Sequence, residues 1–594
     1  MAADSRQPGA VASSGMEGLR SMAATPGNRT LFTRQSSGLV REVSVANALF
    51  FNTAAFIGGT LGGAYGIAVL AGVPVVVIGV VTNWSVVAFV VGAFCVLLAL
   101  IFASLTSVMP RSGGDFLGWL ESWMLAFASI ALLQFETALT LRGVQMEGRI
   151  IGIGTGSDFF NGANKWFTDG DTGQVTGVPG MIAGLVVIAV VAFVVLQPTR
   201  IFHRIVTYLT VIGIGGWILI AVVGLLTFDA TTFAANLPKY ANGVTVDQLA
   251  GAASSAGLTS GFSFGPTDLT HWAFFLLASA MLFQFIGFQY SAYISGEVRG
   301  NVKRGVLFAV LGALAMAVLM NSIYAEMLPR RLGLDAQTGW AAAFWGYITD
   351  PALPLGQPNY FQVLGAITRP ELWPIWTIVG AASTLFPFLL MPVYVIFISR
   401  MALAWSLDRQ VPEWLGAVSE RLRAPANAIV ATLAMAVIFL LFSNFAILKS
   451  IGLGALAPNP DPALDGKLNL VASAWFTILA SSLSWIMPGI NALIARRTRP
   501  DLVRDAPWVN ALPWLGLVWL IFTLLLYWFA GIAPIINTIT SLSGESPLSY
   551  LNRSGVSFVL LVALIGAGWY VIQAFRNRQR GVETELMYQM LPPD

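Results

Sequence analysis

Two apolar stretches interrupted by glycine carry the residues best suited to chemistry: Ile57-Gly-Gly-Thr-Leu-Gly-Gly63, and Gln284-Phe-Ile-Gly-Phe-Gln-Tyr-Ser-Ala-Tyr-Ile-Ser-Gly-Glu297. Glycine lets a backbone leave the helical region and lets a ligand come close to it. The N-H groups freed where a helix begins suit an anion, and the carbonyls freed where one ends suit a cation, so no charged side chain is needed. At bilayer depth a freed backbone group costs several kcal/mol unless protein, water or ligand satisfies it, which places such breaks around an internal cavity. For the first cluster the competing reading is a small-residue stripe for close helix packing. A third candidate is Glu136, flanked by Gln134 and Thr137. It is either a proton carrier or amine-recognition group, or a carboxylate facing an aqueous vestibule or paired with a basic residue such as Arg142. No Ser/His/Asp set, metal-ligand cluster or nucleotide-binding glycine loop is visible, so enzyme and ATP-driven pump readings have little support, and no cofactor or metal is expected. His203 and His271 fall at span ends on opposite faces and are read as interfacial, and Cys95, the single cysteine, excludes an intrachain disulfide.

The elements that must hold these residues are membrane spans. The chain has 594 residues, of which 56% are hydrophobic and 10% charged, against about 25% charged in a soluble domain. Its mean hydropathy is +0.74. Apolar runs long enough to cross about 30 Å of hydrocarbon recur near residues 44–70, 85–108, 117–141, 178–196, 205–228, 272–294, 306–328, 373–398, 429–448, 470–495, 512–532 and 556–574. The expected fold is therefore an all-α polytopic membrane protein with 12 transmembrane helices. Basic residues orient it: 22 of the 32 Lys and Arg fall on the side of the N-terminus, and short cytoplasmic loops carry that excess, so both termini are expected in the cytoplasm. The net charge of +3 is small and sorted by loop, so no nucleic-acid partner is implied. Residues 1–43 are polar, small and without a signal-peptide core, and are expected to be a disordered cytoplasmic tail; residues 575–594 form a second tail. The outer connections 148–177, 229–270, 329–372 and 449–469 are long enough to act as lids or ordered caps.

Four segments on the expected cytoplasmic face carry a family pattern. They are Met109-Pro-Arg-Ser-Gly-Gly-Asp-Phe116, Gly296-Glu-Val-Arg-Gly-Asn-Val-Lys-Arg304, Ser399-Arg-Met-Ala-Leu-Ala-Trp-Ser-Leu-Asp-Arg-Gln-Val-Pro412 with Ala424-Pro-Ala-Asn-Ala428, and Arg496-Arg-Thr-Arg-Pro-Asp-Leu502. In this order and on one face, they resemble the amino acid/polyamine/organocation (APC) transporter family over roughly residues 44–574. The resemblance implies a leucine-transporter-like 5+5 inverted repeat with broken first and sixth helices. Residues 44–228 would be the first repeat, 229–271 an extracellular loop, 272–495 the second repeat and 496–574 two accessory spans.

What the resemblance implies for function is secondary active transport of an amino acid or related amine by alternating access. The alternative is a channel, a nutrient sensor or a non-transporting scaffold built on the same fold. By likeness Gly58, Gly59 and Thr60 would hold the substrate carboxylate, and Phe283, Phe285 and Ile286 would offer carbonyls to its ammonium, with Phe283 also closing over the substrate; Ile57 and Gly287 complete the expected substrate-binding set. Asp115, Glu297, Arg299 and Asp408 would form a cytoplasmic gate, with Glu297, Arg299, Lys303 and Arg304 pairing toward the loop of Arg111 and Asp115 or toward Asp408 and Arg409; the alternative is that many of these are simply positive-inside residues. Where some proton-coupled relatives carry a lysine, this chain has Gly213, and Gln289 stands where some exchangers carry an acid. Of the hydroxyls that could complete a sodium site, residues 385–398 offer only Tyr394. Proton coupling therefore remains open, with Glu136 its candidate. The expected location is the plasma (inner) membrane, in contact with the lipid bilayer.

Overall fold

The computed structural model describes residues 41–55, 84–108, 116–168, 175, 177–241, 243–248, 278, 281–282, 285–324, 328–333, 361–443, 474–498, 500–528 and 556–581. These are almost entirely helical. The main helices are α1 (Val45–Ala55), α2 (Trp84–Val108), α3 (Phe116–Thr155), α4 (Gly177–Val195), α5 (Thr199–Thr227), α6 (Ala230–Tyr240), α7 (Val302–Ser322), α8 (Phe361–Thr368), α9 (Trp373–Ser383), α10 (Leu385–Leu407), α11 (Ala426–Ser443), α12 (Ala474–Thr498), α13 (Leu512–Tyr527) and α14 (Val556–Gln579). Seven helical stretches among the described residues are long and apolar enough to cross a membrane.

The helices are sorted by what surrounds them. On α4, Val178, Ile182, Val186, Val190 and Phe193 are exposed while Gly180, Gly184, Ile188, Val191 and Val195 are buried. Both faces are apolar, one meeting lipid and one meeting protein, which is why the segment reads as uniformly hydrophobic. In contrast α10 is buried from Phe386 to Ser406 apart from Phe388, and α1 is buried from Phe51 to Ala55. These two helices and α3 form the centre.

The third expected span ends near residue 141, but α3 continues to Thr155. At 1.5 Å per residue a helix of that length reaches about 60 Å, twice the hydrocarbon thickness. Its outer part carries Arg142, Gln145, Glu147 and Arg149, which end the hydropathy signal but not the helix. Neighbouring chain covers this extension. Gln145 Oε1 accepts hydrogen bonds from Phe167 N at 3.0 Å and Thr168 N at 2.9 Å, pinning the outer loop. Arg149 donates to the Tyr240 carbonyl at 3.1 Å. Beside it α6 is capped by Asp229, whose side chain accepts from Thr232 N at 2.7 Å, and Asn236 donates to the Thr368 carbonyl of α8 at 3.3 Å. The described parts of residues 148–177, 229–270 and 329–372 thus pack as short helices about this end of α3.

On the opposite face the chain just before α1 is stitched to the segment before α7. Val43 N donates to the Glu297 carbonyl and Arg299 N to the Val43 carbonyl, both at 2.9 Å. Arg423 pairs with Glu42 in the same layer. A short antiparallel ladder, Val418–Ser419 against Ala424–Pro425, closes the loop between α10 and α11.

Candidate functional site

The segment between residues 285 and 297 is not an α-helix. It runs as turns and two short 3-10 pieces, Tyr290–Ala292 and Ser295–Glu297. Its hydrogen bonds span three residues: Phe288 N to the Phe285 carbonyl at 3.2 Å, Tyr290 N to Gly287 at 3.1 Å and Tyr293 N to Tyr290 at 3.0 Å. Gly287 has φ 101, a conformation that a side chain would strain. The interruption expected at Gly287 is therefore a feature of the backbone. Phe285, Ile286 and Phe288 around it are fully buried.

A non-helical backbone at this depth needs partners. One comes from α1: Asn52 Oδ1 accepts from Ser291 N at 2.6 Å and Asn52 Nδ2 donates to Ser291 Oγ at 2.9 Å. Asn52 and Ser291 are both completely buried. This reciprocal pair joins the first helix to the break in the sixth segment. Ile57, Gly58, Gly59, Thr60 and Phe283 lie outside the described residues, as do Arg111 and Asp115.

Aromatic rings and α3 complete the surroundings. Tyr290 lies 4.3 Å from Phe397 and 5.4 Å from Tyr394, centroid to centroid. Tyr394 is in turn within electrostatic range of Glu136. Thr137, next to Glu136, reaches Met391 Sδ of α10 at 3.4 Å. Glu136 itself is fully buried. Gly213 packs on α10 as well, where a Cβ would sit 2.8 Å from the Phe386 ring, so no lysine fits there without displacing it. Gln289 is buried, and its Oε1 receives no hydrogen bond.

The end of the 285–297 segment is held by an ion pair that differs from the expected ones. Glu297 pairs with Arg400 of α10: Nε to Oε1 at 2.6 Å and a terminal guanidinium nitrogen to Oε2 at 3.0 Å. The guanidinium also donates to Ser399 Oγ at 3.1 Å. Both side chains are 3% exposed or less. Charge-assisted bidentate geometry makes this a defined lock rather than a loose exposed pair. Arg299 donates instead to the Arg41 carbonyl at 2.9 Å. Asp408 is buried at the end of α10, where Asn577 of α14 donates to the Arg409 carbonyl at 3.3 Å. His203, expected at the interface, is buried against Phe51 and Phe202. Sequence reading missed Asn52 and the special place of Arg400. The available signals were one amide inside an apolar run and one arginine immediately following it.

Among solved structures the chain is similar to the crystal structure of MhsT in complex with L-phenylalanine, with 16% identity and a TM-score of 0.48, covering 83% of this chain and 99% of that one. No curated protein sequence matches. The sequence profile described as amino acid permease matches residues 49–551, most of the chain. With its apolar helices, its interrupted sixth segment and this match, the chain belongs to the amino acid permease family.

Proposed function

We propose that this integral membrane protein is a secondary active transporter of amino acids or related amines that works by alternating access. The observation that carries this reading is the buried, non-helical segment 285–297, tied to α1 through Asn52 and ended by the Glu297–Arg400 lock. A break at this depth leaves carbonyls and N-H groups free to serve a zwitterion, and a lock at its cytoplasmic end is what one of two alternating states requires. In this reading Ile57, Gly58, Gly59 and Thr60 take the substrate carboxylate. The stretch Phe283 to Gly287 takes the ammonium. The apolar walls at Phe285 and Phe288 favour an apolar or aromatic side chain. Both termini face the cytoplasm across the plasma membrane.

Uptake into proteoliposomes from a panel of labelled amino acids and amines tests the proposal. Saturable uptake, with accelerated exchange when the same compound is loaded inside, is the expected result. Flux that does not saturate would make the protein a channel. Ligand-induced thermal stabilisation without any flux would make it a sensor.

A further inference from the structure

Helix α3 carries a second carboxyl about three turns outward of Glu136, roughly 16 Å along the axis and on the same helix face. The site described above makes no use of it. Glu147 meets α8 and α9 there, and Gln362 Nε2 of α8 donates to Glu147 Oε1 at 3.5 Å, the long limit of a hydrogen bond. Gly380 of α9 borders both groups. A Cβ at that position would collide with Glu147 Oε1 and lie 2.8 Å from Gln362 Cγ. Glycine thus leaves room for the carboxyl and the amide side by side. Gln362 is 1% exposed. Its Oε1 and Glu147 Oε2 are both buried, and neither receives a hydrogen bond.

Two buried acceptors without donors are destabilising, and an ionised Glu147 carboxylate has one weak donor for its charge. A carboxylic acid and a primary amide pair through two antiparallel bonds, N-H to carboxyl oxygen and O-H to amide oxygen. The first bond is present. The second needs one proton on Oε2.

We propose that Glu147, paired with Gln362, is a proton-binding site in the outer part of the protein, occupied as a neutral carboxylic acid. Loading is a plain acid–base step: hydronium from the outer solution gives its proton to Oε2, the carboxylate becomes neutral and one water remains. The new O-H donates to Gln362 Oε1, and release reverses the step. Helices α8 and α9 carry no titratable side chain of their own. The surrounding charges are Arg142 and Arg149 on α3, Lys239 over the Tyr240 ring of α6, and the exposed Arg369–Glu371 pair.

A role in coupling rests on the transport reading, whereas proton binding does not, and the test separates them. Infrared spectra of the purified full chain are recorded near neutral pH for the wild type, Glu147→Gln, Gln362→Leu and Glu136→Gln. A carbonyl band of a protonated carboxylic acid is expected that Glu147→Gln removes, Gln362→Leu shifts and Glu136→Gln leaves in place. Glutamine mimics the neutral acid, so Glu147→Gln is expected to melt at the wild-type temperature. Identical carbonyl regions in wild type and Glu147→Gln overturn the proposal. If that variant does not fold, a band unmoved by Gln362→Leu overturns it instead. In proteoliposomes Glu147→Gln is expected to lose uptake driven by a pH gradient while keeping exchange; absence of all uptake by the wild type would overturn the transport reading and leave the spectra to decide proton binding.

Discussion

Glu297 and Arg400 matter as a pair because neither can reach water in this state. Removing one partner of a buried ion pair leaves the other charge uncompensated, at about 3–5 kcal/mol. Glu297→Gln is therefore expected to lower the melting temperature and open the end of the 285–297 segment. The opening can be read as faster labelling of a thiol at buried Ser295, introduced as Ser295→Cys in a Cys95→Ala background. Unchanged labelling would make the pair a structural tie rather than a gate. Asn52 is the second test at this scale. Its side chain holds the Ser291 N-H, and a buried donor left unsatisfied costs about 1–3 kcal/mol, so Asn52→Ala is expected to destabilise the protein and weaken ligand-induced stabilisation. Asn52→Gln, one methylene longer, should not restore either property.

At the scale of elements, the layer of short helices about the far end of α3 is set by helix ends and close packing. Asp229 begins α6, and the bonds it accepts from the Thr232 side chain and backbone N-H hold its carboxyl below the ordinary aspartate value, with Arg369 and Arg331 adding to this. A depressed carboxyl pKa stabilises the cap fully above the unfolded value of about 3.9. That stabilisation is lost as pH falls through the lower, folded value. Amide exchange in the first turn of α6 should therefore be independent of this group down to about pH 5 and become sensitive to it only below the ordinary aspartate range. Asp229→Ala should raise exchange there already at neutral pH. The fit of α3 on the α9–α10 junction is equally local: a Cβ on Gly143 would lie 2.9 Å from Thr384 Cβ. Overpacking of this kind typically costs about 1–3 kcal/mol, and Gly143→Val is expected to lower the melting temperature accordingly.

For the whole molecule the question is what drives transport. Residues 385–398 of α10 supply Tyr394 as their one hydroxyl, and its ring packs among Tyr290 and Phe397. Uptake is expected to persist when choline replaces sodium at constant membrane potential. Strict sodium dependence would point to a carbonyl site near the break. Glu136 faces Tyr394 in the interior, and Glu136→Gln preserves its shape while removing titration. A modest fall in gradient-driven uptake with unchanged exchange is expected, and complete loss of gradient-driven uptake would make Glu136 the proton site.

Much of this protein was legible in one dimension. Membrane helices declare themselves because lipid demands long apolar runs, so α2 and α4 begin and end within a residue of the hydropathy limits. Gly287 stood out because glycine followed by polar residues makes poor sense in a lipid-facing helix, and the backbone there does leave the helical region. Pairing across the molecule was not legible. Glu297 had several cations within plausible reach in sequence, and only the packing of the 285–297 segment against α10 selected Arg400. Asn52 and Ser291 are separated by 239 positions, and Glu147 and Gln362 by 215. Hydropathy is a property of neighbours along the chain, whereas a hydrogen bond between distant residues is decided by how helices pack, and the tertiary structure alone contains that information.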